Sequence, residues 1–192
     1  MILQPNDVGW VEVICGSMFS GKTEELIRRL KRAQYARQKV QIFKPRIDDR
    51  YHAESIVTHD RVSLSGAAVE NVAELKDNLD PQVEVVGIDE VQFFGEEVVG
   101  LCEYLANRGC RVVVAGLDLD WRGEPFGLMP KLLSVAEYVT KLHAICVRCG
   151  NPAHYSHRLA SNPQQVLVGS EEQYEALCRR CFYQGAPDTS ES

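Results

Sequence analysis

Short apolar runs alternate with amphipathic stretches up to about residue 140. Four runs have the composition and length of buried strands: Trp10–Cys15, Val40–Lys44, Val83–Ile88 and Arg111–Gly116. Lys22–Arg37 and Glu96–Asn107 carry apolar residues at helical spacing. The first strand, helix and second strand therefore form a βαβ unit, which requires a parallel sheet with a right-handed crossover.

Other stretches are less regular. Residues 45–70 are polar and resist assignment, residues 117–130 read as a loop, and Lys131–Tyr138 is predicted to be a short helix. After about residue 140, cysteine pairs and strand-like pieces replace the alternation, at Ala153–Leu159 and Gln165–Gly169. We predict an α/β domain over residues 1–140, a smaller unit over 141–183 and a frayed tail over 184–192.

One segment between the first strand and the first helix matches a complete phosphate-binding motif. Gly16-Ser-Met-Phe-Ser-Gly-Lys-Thr23 fits G-x-x-x-x-G-K-[ST]. Its glycines permit a backbone that aims successive N–H groups at one anion, at the N-terminus of a helix. Lys22 would reach the β- and γ-phosphates, and the Thr23 hydroxyl would bind Mg²⁺. The motif predicts nucleoside triphosphate binding.

An acidic pair, Asp89-Glu90, ends the third apolar run. An aspartate at this place, downstream of a phosphate loop, is a predicted Mg²⁺ ligand. Glu90 beside it could act as a general base. If the attacking group is water, the protein is an NTPase, and if it is a substrate hydroxyl, the protein is a kinase. Loop and strand alone leave both open.

The late cysteines form two C-x-x-C pairs, a pattern that suits tetrahedral Zn²⁺. The predicted ligands are Cys146, Cys149, Cys178 and Cys181. Because four sulfurs leave no open coordination position, the predicted role of the zinc is structural. It would pin the ends of a loop, Ala153–Tyr174, that can cover a site. Cys15, Cys102 and Cys110 are expected to be small buried side chains.

The bulk properties narrow the class of protein further. A chain of 192 residues, 45% of them hydrophobic, can bury a full core. Its net charge of −6 argues against a nucleic-acid partner. No signal peptide and no apolar run of about 20 residues is visible, so we expect no membrane association and a cytoplasmic location.

Several motifs together resemble one known family. The combination is similar to the zinc-containing type of thymidine kinase. The motifs that carry this resemblance are the Gly-x-Met-Phe-Ser-Gly-Lys-Thr loop, Ile-Asp-Glu-x-Gln-Phe-Phe at 88–94, Gly-Leu-Asp…Pro-Phe-Gly at 116–127 and the four late cysteines. The resemblance runs from about Trp10 to Phe182. It implies a P-loop, RecA-like parallel sheet flanked by helices, with a small zinc-ribbon-like domain that carries a substrate-covering loop. The activity that it implies is the Mg²⁺-dependent transfer of the ATP γ-phosphate to the 5′-hydroxyl of thymidine.

The same resemblance implies roles for individual residues. Glu90 would be the general base, with Lys22 and Arg50 as the other catalytic residues. The expected set for ATP and its metal is Gly16, Ser17, Met18, Phe19, Ser20, Gly21, Lys22, Thr23, Asp89 and Gln92. The expected nucleoside contacts are Met18, Asp48, Phe93, Leu117, Trp121, Phe126, Ser156, Gln165, Val166, Leu167, Val168, Gly169 and Tyr174.

The resemblance also implies a homotetramer and feedback inhibition by thymidine triphosphate. Trp121 stands where the family usually has Phe or Tyr, and Ser156 where Thr is common. Two alternatives to the kinase are an ATP-driven nucleic-acid motor with a zinc ribbon and a non-catalytic nucleotide-sensing module. A motor predicts stimulation by polynucleotide, and a sensor would not need Glu90.

Overall fold

The computed structural model describes residues 8–46, 66–159 and 174–184. The strands are β1 Trp10–Gly16, β2 Val40–Pro45, β3 Gly66–Val69, β4 Val85–Ile88, β5 Arg111–Gly116, β6 Tyr138–Leu142, β7 Ala144–Ile145, β8 Pro152–Ala153, β9 Tyr155–Arg158 and β10 Tyr174–Leu177. The helices are α1 Lys22–Tyr35, α2 Val72–Asp77, α3 Glu97–Asn107, α4 Met129–Val135 and α5 Arg179–Gln184, with a 3₁₀ turn at Val91–Phe93.

Six strands form one sheet in the order β3-β2-β4-β5-β1-β6, and every neighbouring pair is parallel. This confirms the predicted parallel sheet. Because the strands are parallel, their carboxyl ends lie along one edge, where open α/β sheets bind their ligands. The phosphate loop follows β1 at this edge, and the acidic pair follows β4.

Helices cover both faces of the sheet. On one face, α1 packs Leu26 and Leu30 against the sheet. On the other face, α2, α3 and α4 bury side chains that include Leu75, Leu101 and Leu132. Strand residues alternate between the two cores, as a pleated sheet requires. The two layers fix the strand ends that carry the site.

Three parts of the fold differ from the sequence prediction. The unassigned stretch ends in strand β3, which is followed by α2. Helix α4 begins and ends earlier than the predicted Lys131–Tyr138, because Ala136 takes extended backbone angles. Tyr138 instead begins β6, which pairs with β1 through Leu142. The sheet therefore continues to Leu142, and the domain boundary near residue 140 stays a prediction.

In the described residues, the smaller unit has two two-stranded antiparallel sheets, β7-β8 and β9-β10, with α5. These residues form a small core cluster of three cysteines, three alanines and one leucine, with Phe182 against it. A cluster of this size contributes little stabilisation by burial. A bound metal would add to that stabilisation.

Within the three described stretches of the chain, no helix is both long enough and apolar enough to span a membrane.

Candidate active site

The phosphate loop turns sharply between β1 and α1. Gly16 has φ 145°, and a Cβ atom there would lie 2.3 Å from the carbonyl oxygen of Leu142 on β6. Gly21 is left-handed at φ 82° and serves as the N-cap of α1 without a side-chain cap. Glycine is therefore needed at both positions. Among the residues that the structure describes, no side chain caps the N-terminus of α1, which leaves its first N–H groups available to an anion.

Lys22 lies folded over this loop. Its Nζ donates to the carbonyl oxygen of Ser17 at 2.7 Å, and Ser20 Oγ donates to the same oxygen at 2.7 Å. Burial lowers the pKa of the Lys22 ammonium, while the carboxylates of Glu90 and Asp89 oppose that shift. The three charges therefore lie close enough to act on one another.

Thr23 and Asp89 meet although they are far apart in sequence. Thr23 Oγ1 donates to Asp89 Oδ2 at 2.9 Å. Burial raises the pKa of the Asp89 carboxyl to about 6, and the neighbouring charge of Glu90 adds to the rise. A hydroxyl and a carboxylate side by side are hard oxygen donors of the kind Mg²⁺ prefers. These two residues therefore fit the predicted magnesium site.

Glu90 has left-handed backbone angles, with φ 49° and ψ 40°. This conformation is uncommon for a residue with a side chain, and such strain often occurs at functional sites. Its N–H donates to Asp89 Oδ1 at 3.0 Å, and Gln92 Nε2 donates to Glu90 Oε2 at 2.5 Å. Gln92 was predicted to contact the cofactor, and here its amide contacts the proposed base.

The predicted nucleoside contacts Phe93 and Phe126 pack edge to face, with ring centroids 5.7 Å apart. The backbone N–H of Leu117 donates to Gln92 Oε1 at 3.1 Å. The guanidinium of Arg122 lies 4.8 Å from the centroid of Trp121, and that of Arg158 lies 4.9 Å from it. Trp121, in the loop after β5, therefore contacts strand β9 through Arg158.

The small unit contacts the phosphate loop directly. The backbone N–H of Met18 donates to Ser156 Oγ at 2.9 Å, and Ser17 Oγ donates to the carbonyl oxygen of Ala153 at 3.4 Å. Ser156, which was predicted to contact the nucleoside, is buried and makes the first of these two contacts. Tyr174 begins β10, and its hydroxyl accepts from Arg158 Nη2 at 2.8 Å.

The four predicted zinc ligands converge. Their sulfur atoms all lie within 4.8 Å of one another, and Cys149 Sγ lies 3.5 Å from Cys178 Sγ. A tetrahedron with Zn–S bonds of about 2.3 Å has sulfur–sulfur edges of about 3.8 Å. Asn151 Nδ2 lies 3.3 Å from Cys149 Sγ, the kind of outer hydrogen bond that orients a thiolate ligand. The cluster therefore fits Zn²⁺.

Some predicted residues lie outside the described part of the chain. They are Asp48, Arg50, Gln165, Val166, Leu167, Val168 and Gly169.

The sequence reasoning gave no role to two charged groups near the loop. Asp118 is buried after β5, and its Oδ2 lies 2.7 Å from Lys141 Nζ on β6. Its Oδ1 has no hydrogen-bond partner among the residues the structure describes. Asp118 is the second residue after β5, and Asp89 is the first residue after β4, so an acidic residue near the end of an apolar run is a sequence signal that both share.

A phosphate loop after β1, with an acidic pair after β4 of the same parallel sheet, defines a P-loop nucleotide-binding protein. The profile of the thymidine kinase family matches residues 9–182. The chain belongs to the thymidine kinase family, whose activity is the ATP-dependent phosphorylation of thymidine.

Curated relatives agree with this family. A thymidine kinase of Bacteroides thetaiotaomicron is 53% identical over 174 residues, which are 91% of this chain and 87% of that protein. A thymidine kinase of Rhodothermus sp. is 53% identical over 185 residues, which are 96% of this chain and 86% of that protein. A thymidine kinase of Porphyromonas gingivalis is 55% identical over 174 residues, which are 91% of this chain and 85% of that protein.

Proposed function

We propose that this chain transfers the γ-phosphate of ATP to the 5′-hydroxyl of thymidine, giving ADP and thymidine monophosphate. The observation that carries the proposal is the cluster of Lys22, Thr23 and Asp89 with Glu90 beside it. Thr23 and Asp89 are in hydrogen-bond contact, and Glu90 shares a hydrogen bond with Asp89. Groups suited to phosphate binding, metal binding and proton acceptance therefore lie together at one edge of the sheet.

The phosphates would lie against the N–H groups at the start of α1. Lys22 would exchange its bond to the Ser17 carbonyl for the β- and γ-phosphate oxygens. Burial disfavours its charge, and an anionic phosphate would favour it again. Thr23 and Asp89 would hold Mg²⁺, which neutralises charge on the phosphates when bound.

Glu90 would take the proton of the 5′-hydroxyl while that oxygen bonds to the γ-phosphorus. The bond from this phosphorus to the β,γ-bridging oxygen breaks, and ADP leaves with the electron pair. Lys22 would stabilise the charge on the transferred group, and Arg50 has the same proposed role from outside the described residues. In such reactions positioning and electrostatics provide most of the rate.

The thymine base would bind among Met18, Phe93, Leu117, Trp121 and Phe126. Phe93 and Phe126 offer an aromatic wall at the edge that holds Glu90. The zinc-bound unit would carry the covering loop, whose residues 165–169 lie outside the described part. Covering the site would exclude water, which competes with the 5′-hydroxyl as phosphoryl acceptor.

The proposed assembly is a homotetramer in the cytoplasm, inhibited by thymidine triphosphate. The assembly and the feedback inhibition rest on the family resemblance. Sedimentation of the purified chain tests the assembly, and inhibition of the initial rate by thymidine triphosphate tests the feedback.

The activity test is incubation with ATP, Mg²⁺ and single nucleosides, followed by chromatography. We expect thymidine monophosphate and ADP in equal amounts. Release of ADP only on addition of DNA would instead indicate the motor. Glu90→Gln should keep ATP binding and lower the rate about 10²- to 10⁴-fold, as expected for loss of a general base. Glu84→Gln, at the opposite end of β4, is the matched control.

A further inference from the structure

Gln92 occupies a position between the proposed base and the loop after β5. It lies in the 3₁₀ turn Val91–Phe93, and its residue is only 5% exposed. Its amide makes two hydrogen bonds, one to the Glu90 carboxylate and one to the backbone of Leu117. A buried polar side chain that joins two such groups is well placed to fix their relative position.

Chemistry decides which way this amide points. The backbone N–H of Leu117 can only donate, so the amide atom 3.1 Å from it must be the oxygen, Oε1. The nitrogen Nε2 must then face Glu90 Oε2, which accepts at 2.5 Å. One carboxylate oxygen of Glu90 is therefore used by Gln92, and the carboxylate is held by that contact.

The surroundings leave room for the amide in this position. A Cβ atom on Gly116 would lie 2.6 Å from Gln92 Oε1 and 2.9 Å from Val91 Cγ1. The backbone of Gly116 is not in the left-handed region, so its need for glycine is one of space. Gly116 thus reserves the space in which the Gln92 amide lies.

Glu90 itself needs such support. It lies in a left-handed turn, where no regular helix or strand orients its side chain. Its backbone is anchored by the bond from its N–H to Asp89 Oδ1. The hydrogen bond from Gln92 is the contact that anchors its carboxylate, among the residues that the structure describes.

We infer that Gln92 is a positioning residue, which holds the Glu90 carboxylate in place for the 5′-hydroxyl and ties it to the backbone of Leu117. The inference rests on the proposed function, in which Glu90 is the base and Leu117 lines the thymine pocket. It differs from the expectation that Gln92 contacts ATP, because a cofactor contact would act on ATP binding and a positioning residue acts on the chemical step.

The first experiment replaces Gln92 by methionine, which has a similar length but no hydrogen-bonding amide. We expect kcat to fall about 10- to 100-fold, as misplacement of a reacting group by about 1 Å can cause. The KM values for ATP and thymidine should change by less than about 3-fold. Gln41→Met is the matched control, because Gln41 on β2 also bonds two backbone groups, those of Asn78 and Asp80.

The second experiment repeats the change in the Glu90→Gln background. If Gln92 acts through Glu90, it should lower the rate of this variant by less than about 2-fold, because residues that act as a unit are not additive. An equal loss in both backgrounds would show that Gln92 acts separately and would overturn the inference. A raised KM for ATP with unchanged kcat would also overturn it, in favour of a cofactor contact.

Gly116→Ala provides an independent route if Gln92→Met does not fold. The added methyl group should displace the amide and give the same loss of kcat with similar KM values. An unchanged kcat in this variant would overturn the inference. A Glu90→Gln protein with the parental rate is a different result, since it would refute the base assignment of the proposed function itself.

Discussion

Replacing Asp89 by asparagine should stabilise the nucleotide-free protein while it removes a proposed metal ligand. Asp89 is buried at the end of β4, where burial raises the pKa of its carboxyl to about 6. An asparagine can keep the present contacts, because its oxygen can accept from the Glu90 N–H and its amide can donate to Thr23 Oγ1. The change therefore removes a buried charge and keeps the hydrogen bonds.

The magnitude follows from the difference between the folded and unfolded pKa values. The carboxyl has a reference pKa of 3.8, and the fold raises it to about 6. A shift of one pKa unit corresponds to about 1.36 kcal/mol. The ionised Asp89 therefore lowers the free energy of unfolding by about 3 kcal/mol at pH 8. This figure sets the upper end of the gain expected from asparagine.

The sign of the pH dependence follows from proton binding. Between pH 3.8 and 6 the folded protein binds more protons at Asp89 than the unfolded chain does, so stability falls as the pH rises through this window. The advantage of Asp89→Asn over the parent should therefore grow from about 1.5 kcal/mol at pH 5 to about 3 kcal/mol at pH 8.

Urea unfolding of both proteins at each pH unit from 5 to 8, without added divalent cations, measures this difference directly. Titrating groups that do not interact with Asp89 are common to both proteins and cancel in the comparison. Asp77→Asn, at an exposed position, is the control for removal of an aspartate side-chain charge. A variant less stable than the parent at pH 8, or a gain that does not change with pH, would refute the reasoning.

Three other changes test separate parts of the structure. Cys181→Ser should release zinc and lower the thermal midpoint, because the apolar cluster that the described residues form around the cysteines is small. Glu12→Gln should cost about 2–4 kcal/mol in urea unfolding, because the Glu12 carboxylate accepts from Arg29, Arg111 and the Trp10 indole. In a Trp10→Phe protein, where Trp121 is the remaining tryptophan, thymidine should change the emission spectrum.

Each of these has its own control. Cys110→Ser, outside the cysteine cluster, should keep its zinc, and full zinc content in Cys181→Ser would contradict the ligand assignment. Glu84→Gln should cost less than Glu12→Gln, and equal costs would contradict the importance of the Glu12 network. A nucleoside that is not phosphorylated in the activity test should leave the Trp121 emission unchanged at concentrations where thymidine alters it. An emission insensitive to thymidine would argue against Trp121 in the pocket.

The sequence predicts best those elements whose signals are local. Strand β1, the phosphate loop and α1 are read directly, because apolar periodicity and Gly-Lys-Thr lie within one continuous segment. Strand β3 was missed since Gly66–Val69 has only four residues. Helix α2 has six residues, and its main sequence signal is the N-cap Asn71, whose Oδ1 accepts from the Glu74 N–H. Strand β6 was missed because the helix predicted over Lys131–Tyr138 included Tyr138, which is the first residue of the strand.

Contacts across the sheet edge were the least predictable part of the site. Asp89 and Glu90 could be named because they end an apolar run, but the bridge from Gln92 to Leu117 depends on how β4 and β5 lie side by side. The pairing of Asp118 with Lys141 similarly spans the end of β1, which lies between β5 and β6. Such contacts follow from topology, which a single sequence specifies only indirectly.

The contact between the small unit and the phosphate loop changes how the zinc should be regarded. The N–H of Met18 is one of the loop groups that could face a phosphate, but Ser156 Oγ on β9 accepts it. Ser17 is held in turn by the Ala153 carbonyl oxygen. Strand β9 thus occupies one of the loop amides, and β9 pairs with β10, which is followed directly by Cys178 of the cysteine cluster. A structural zinc that takes no part in phosphoryl transfer would therefore still shape the phosphate site.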